Sequence, residues 1–94
     1  MASITVAEIA TKVLAVPDDE DGNLEFAIKA VVTNHGSDPE ELAVELQGID
    51  AEGFELANIF LTGTVLPGQS RTLTNRGYES PGTFRQIVCW QVRG

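Results

Sequence analysis

The stretch Leu24-Glu25-Phe26-Ala27-Ile28-Lys29-Ala30-Val31-Val32-Thr33 puts Leu24, Phe26, Ile28, Ala30 and Val32 on one side and Glu25, Lys29 and Thr33 on the other. Successive side chains of a strand point to opposite faces, so this period of two marks a half-buried β-strand. A strand with one apolar face needs a second layer to cover it, and that requirement governs the rest of the chain. Asn34-His35-Gly36-Ser37-Asp38-Pro39, a run of turn formers, must end the strand.

Further strands follow at short intervals. Leu42, Val44 and Leu46 alternate with Ala43, Glu45 and Gln47, although Asp38 before Pro39-Glu40-Glu41 could also cap a short helix. Gly48 and Ile49 argue against a long helix there. Asp50-Ala51-Glu52-Gly53 reads as a hairpin connection, with Gly53 free to take positive φ. Phe54 to Leu66 is mostly apolar, rich in Ile, Phe, Thr and Val, and reads as one strand bent at Gly63 or two short ones. Pro67-Gly68 is a turn, and Arg71-Thr72-Leu73-Thr74 a short strand. The last segment places Phe84, Val88, Trp90 and Val92 on one face, with Ile87 and Cys89 opposite, as a central strand would have them. In the first sixteen residues Ile4 and Val6 read as strand while Val6 to Val13 also fits one helical face; two short strands with a kink near Glu8 to Thr11 are expected.

Six or seven strands separated by turns, with no crossover helix, imply an all-β, antiparallel immunoglobulin-like β-sandwich. Ninety-four residues suit one domain spanning 1–94. The expected core is Ile4, Val6, Val13, Leu24, Phe26, Ile28, Val32, Leu42, Val44, Leu46, Phe54, Phe60, Leu73, Phe84, Val88 and Trp90.

Charge narrows the function classes. Six basic residues against 14 acidic ones give −8, which disfavours nucleic acid as a partner. No apolar run reaches the ~20 residues of a membrane-spanning helix, so membrane insertion is not expected. Residues 1–60 carry 13 acids with only Lys12 and Lys29, whereas 61–94 carry four arginines against Glu79. That asymmetry fits either weak self-association or a monomer whose two parts attract each other within one globule. Cys89 is the only cysteine and can form no internal disulfide. The start Met1-Ala2-Ser3-Ile4 has neither the basic nor the apolar segment of a signal peptide. A free-standing chain of this kind is expected to be cytoplasmic; a domain of a longer exported chain would be extracytoplasmic.

Ala30-Val31-Val32-Thr33-Asn34-His35-Gly36-Ser37, Val44-Glu45-Leu46, Asp50-Ala51-Glu52-Gly53 and Leu66-Pro67-Gly68-Gln69-Ser70-Arg71-Thr72-Leu73 occur in an order and spacing that resemble bacterial immunoglobulin-like domains. Over residues 24–92 the chain is similar to the CARDB and FxLYD-type families, although Gly48-Ile49-Asp50 stands where the tyrosine motif that names the latter would be. The shared residues build turns and core. The resemblance implies a non-enzymatic spacer or protein-interaction module with no cofactor.

Candidate chemistry is sparse. Pro17-Asp18-Asp19-Glu20-Asp21-Gly22-Asn23 is the densest charge, and Asp19 and Asp21 match two calcium-ligand positions of an EF-hand loop around Gly22. Pro17 and Ile28, however, occupy two positions that need oxygen ligands. His35, Ser37 and Asp38 have the residue types of a hydrolase triad but crowd into one turn, where Ser37 or Asp38 is expected to serve as a local cap. Cys89, in an apolar strand, lacks the surroundings of a nucleophile. Gly77-Tyr78-Glu79-Ser80-Pro81-Gly82 between Arg76 and Arg85 is the best binding-loop candidate, since Tyr and Arg dominate interface hot spots. The alternative function is therefore a carbohydrate- or calcium-binding accessory module using the 17–23 loop or the 76–85 loop.

Overall fold

A computed structural model describes residues 3–19 and 21–93; Met1, Ala2, Glu20 of the acidic loop and Gly94 lie outside the described residues. Strands β1 (Ile4–Ala15), β2 (Leu24–Asn34), β3 (Glu40–Ile49), β4 (Glu55–Val65) and β5 (Ser70–Glu79) precede a one-turn helix α1 (Pro81–Gln86) and strand β6 (Cys89–Val92). They form two antiparallel three-stranded sheets, ordered β1-β2-β5 and β4-β3-β6, which face each other as the expected β-sandwich. The order matches strands A-B-E against C′-C-F of immunoglobulin sandwiches.

β2 is the central strand of its sheet, and its period of two is realised in full. Leu24, Phe26, Ile28, Ala30 and Val32 are all buried, and they meet Leu46, Ile59, Leu61, Val65 and Leu73 from across the sandwich and from β5. The β3–β4 turn also forms where Asp50 and Gly53 place it. The Asp50 carboxylate accepts the Glu52 and Phe54 N–H groups at 2.9 and 2.8 Å, and Gly53 has φ 89°.

β1 is one strand rather than two. The expected kink is a bulge: Glu8 and Ile9 together oppose Ala30, and Glu8 takes φ 55°. Positive φ on the first bulge residue lets β1 bend without leaving β2. Directly after Pro39, Glu40 and Glu41 begin strand β3, not a helix.

Four expected core residues are on the surface. In β4 the inward series is Ile59, Leu61 and Val65, whereas Phe60 is 48% exposed and Phe54 precedes the strand, exposed at the turn. Both faces of this segment are apolar, so its pattern does not fix the register, and a slip of one residue exchanges every side chain between faces. The register follows instead from the Asp50–Gly53 turn and a shift between Gly48 and Ile49. Val13 lies beyond the bulge near the end of β1 and is exposed, and Val88 is exposed in the link before β6.

The last segment also departs from a continuous strand. Ser80 caps α1 by accepting the Thr83 N–H, Pro81 starts the helix, and Phe84 packs from it onto Phe26 with ring centroids 5.0 Å apart. A local cap and an N1 proline thus override the alternation. β6 is an edge strand of four residues, not a central one, and Cys89 is exposed. Trp90 does face inward: it lies 5.7 Å from Phe26 between centroids, over Gly48. A Cβ on Gly48 would come within 2.9 Å of the Ile87 side chain and 3.1 Å of the indole, so a larger residue there would have to shift both.

Candidate functional site

The two loops singled out from the sequence meet at one end of the sandwich. Val16, Pro17, Asp18 and Asp19 from the β1–β2 loop face Ser80, Pro81, Gly82 and Arg85 across an open cleft of about 690 Å³. The meeting follows from topology, since the end of β1, the start of β2 and the end of β5 lie together in one sheet. Arg85 occupies the last turn of α1 and forms no ion pair with a described residue.

The acidic loop is organised by itself. Asp19 Oδ1 accepts the Asp21 N–H at 3.1 Å, and its carbonyl accepts the Gly22 N–H at 3.4 Å. Asp19 therefore spends one carboxylate oxygen on its own turn, while Asp21 is exposed. Among the described residues no group of three or more carboxylate, His or Cys side chains is placed to hold a metal ion. A loop site with a Kd near 0.1 mM would stabilise the fold by about 2.7 kcal/mol in 10 mM calcium. For a small domain that would raise Tm by more than ~10 °C. The expected result is a smaller shift, reproduced by magnesium and retained in Asp21→Ala, from screening of the acidic surface. A large calcium-specific shift lost in Asp21→Ala would reverse this conclusion.

The 76–85 segment does not act as one loop. Arg76 and Tyr78 lie on β5, on the outer face of the sheet, well before α1 and Arg85. There they converge on Glu25 of β2. The Tyr78 hydroxyl donates to the Glu25 carboxylate at 3.1 Å, and the Arg76 guanidinium stands 3.7 Å from the same oxygen. Hydrogen bonding to Glu25 raises the Tyr78 pKa above its ordinary value, helped by the carboxylate's charge and slight burial and opposed by Arg76. Tyr78 and Arg76 are therefore a cross-strand cluster, and Arg85 alone belongs to the cleft.

Other candidate groups serve the fold. The His35 ring is 3.0 Å from the Thr5 hydroxyl on β1, rather than on Ser37 or Asp38. The turn after β2 is held by Asn34, not by Ser37 or Asp38. Asn34 is completely buried; its Oδ1 accepts the Gly36 N–H at 2.8 Å, and its Nδ2 donates to the Asp38 and Val65 carbonyls at 2.8 and 2.9 Å. Sequence reasoning placed Asn34 in a turn without seeing this role. The signal was an asparagine one step beyond a buried series, at a position of the same parity as Val32.

Part of the charge asymmetry is met within the sandwich. Arg93 reaches Glu45 at 3.2 Å and Glu55 at 2.9 Å, and Arg76 reaches Glu25, so basic residues of 61–94 meet acids of 1–60. These pairs are solvent-exposed and contribute little to stability. No helix among the described residues is long and apolar enough to cross a membrane. No family model, curated protein or solved structure matches the chain.

Proposed function

We propose that the chain is a non-enzymatic immunoglobulin-like module that acts as a spacer or protein-interaction domain, as its resemblance to CARDB and FxLYD-type domains implies. The interaction role is supported above all by the end of the sandwich that carries the cleft. There the β1–β2 loop, the β3–β4 turn and the link before β6 leave Val16 72%, Phe54 64% and Val88 64% exposed. Burying such side chains against a partner is favourable by about 25 cal/mol per Å² of apolar surface. Loops held by a rigid sandwich are also where binding residues concentrate.

Photo-crosslinking from position 88 in cells of the source organism tests the role. One or a few defined proteins should be captured, and capture should be lost when Val16→Asp and Phe54→Asp are introduced together. Each substitution is at the surface and should change stability by no more than about 0.5 kcal/mol, so an unchanged Tm separates lost binding from lost fold. Capture that is equal with and without the two substitutions would remove this end of the sandwich from the interaction.

A further inference from the structure

The outer faces of the two sheets, turned away from the core, differ in charge and in relief. On the β1-β2-β5 sheet, register sets Lys12 and Arg76 on either side of the outward Ala27, with Lys29 two residues further along β2. Glu25 shares this face and is taken up by Arg76 and Tyr78. Lys12 and Lys29, the only lysines of the chain, are exposed and make no ion pair with a described residue.

Between these lysines lies a shallow depression of about 210 Å³. Ala10, Lys12, Ala27, Lys29 and Thr74 line it from outward positions, with Thr11 and Ile28 between them. Residue size explains it. Ala10 and Ala27 are short, and each is paired across β1 and β2 with a lysine, Ala10 with Lys29 and Ala27 with Lys12. Lysine stems cover apolar surface while their charged heads stay in water. The site is therefore apolar at its base and cationic at its rim.

The outer face of the β4-β3-β6 sheet is the reverse. Glu41, Glu45 and Glu55 stand there against one described cation, Arg93. Phe60 lies directly opposite Glu45 on this face and is 48% exposed. Asn58 and Arg93 both bond Glu45 Oε2, at 2.9 and 3.2 Å, and no described residue bonds its Oε1. One face thus carries an aromatic ring beside carboxylates, and the other an apolar hollow between lysines.

We propose that copies of this chain associate through these two faces, the Phe60 ring of one seated in the Ala10–Ala27 depression of the next, with Glu45 and Glu41 meeting Lys12 and Lys29. The size fits, since an apolar cavity of about 150 Å³ already takes benzene. The two surfaces differ and lie on opposite sides of the molecule, so each copy uses both and the contact need not close on a pair. Three strands about 4.8 Å apart and about ten residues long offer on the order of 500 Å² per face. A contact of that size is at the lower end of specific interfaces, so it is weak and forms at high protein concentration. It leaves the cleft end free, and it goes beyond the interaction proposed there without depending on it.

The test uses two variants, Lys12→Glu with Lys29→Glu, and Phe60→Thr. All three positions are exposed, so an unchanged Tm shows that each variant is folded. At millimolar protein and low salt the unaltered chain should sediment heavier than a monomer, and about 0.5 M salt should return it towards monomer. Phe60→Thr should weaken self-association at least tenfold, the effect of leaving one phenylalanine unburied. The lysine variant should be monomeric as well. Mixed, the two should form a one-to-one complex, because each keeps the face that the other has lost. In that mixture, isotope-labelled Phe60→Thr should show NMR shifts at Ala10, Ala27 and Thr74, and the labelled lysine variant at Phe60 and Glu45. An unaltered chain that stays monomeric at millimolar concentration would overturn the proposal. So would variants that fail to complement each other on mixing, or shifts on the same face of both. Self-association with shifts confined to Val16, Phe54 and Val88 would overturn it while leaving the cleft-end reading intact.

Discussion

Asn34→Ala is expected to destabilise the protein by about 3–4 kcal/mol and to lower Tm by more than ~12 °C, read from urea and thermal unfolding. The side chain is completely buried and has no apolar work to do. It satisfies three backbone groups: the Gly36 N–H and the carbonyls of Asp38 and Val65. Its own backbone joins the same knot, with its N–H donating to the Gln69 carbonyl at 3.0 Å and its carbonyl accepting the Gly68 N–H at 2.8 Å. One residue therefore ties the β2–β3 turn to the end of β4 and to the Pro67–Gln69 turn across the sandwich. Truncation leaves buried polar groups unpaired, and each costs about 1–3 kcal/mol unless water replaces the amide. Thr33→Ala is the control. Thr33 pairs with the Ser70 hydroxyl at 2.6 Å in an exposed position, where water substitutes freely, and should cost under ~1 kcal/mol. A loss in Asn34→Ala no larger than in Thr33→Ala would show that the knot does not hold the fold.

Trp90→Ala should cost about 3 kcal/mol, at the lower end for a buried aromatic because the indole keeps some exposure. The ring closes the α1 end of the core, stacked in tilted contact with Phe26, which in turn touches Phe84. Its removal opens a space between Gly48 and Phe26 that no neighbour fills. Native Trp fluorescence should be blue-shifted and move to the red on unfolding. Val88→Ala, two positions earlier on an exposed side chain, should change stability by no more than about 0.5 kcal/mol. Native emission already at the fully exposed position would contradict the inward placement of Trp90.

The Asn34 and Trp90 cases differ in how far residue pattern reached. Trp90 inward was readable from alternation within four residues, because β6 keeps its strand form from Cys89 to Val92. Asn34 was readable as a turn residue only, since its partners Asp38, Val65, Gly68 and Gln69 come from three separate segments. The candidate site shows the same divide. The acidic loop and the Arg85 segment were both marked by composition, but their meeting across a cleft follows from β1, β2 and β5 sharing one sheet. Arg76 and Tyr78 read as neighbours of Arg85 in sequence, yet strand pairing turns them towards Glu25 instead.

Residue order alone was sufficient for the all-β class, the half-buried strand β2, the turns at Asp50–Gly53 and Pro67–Gly68, and an irregularity of β1 near Glu8. All of these rest on local physics: a period of two, a glycine at positive φ, and side chains that bond their own backbone. Which face of β4 is buried, and the meeting of the acidic loop with Arg85 across the cleft, were settled by interactions between distant segments. Where both faces of a strand are apolar, as from Phe54 to Leu66, alternation favours neither face, and burial depends on which sheet arrives opposite. Phe60 stays outside because its β4 neighbours Ile59 and Leu61 take the inward positions, and Val88 because it lies in the link before β6, where Trp90 faces inward.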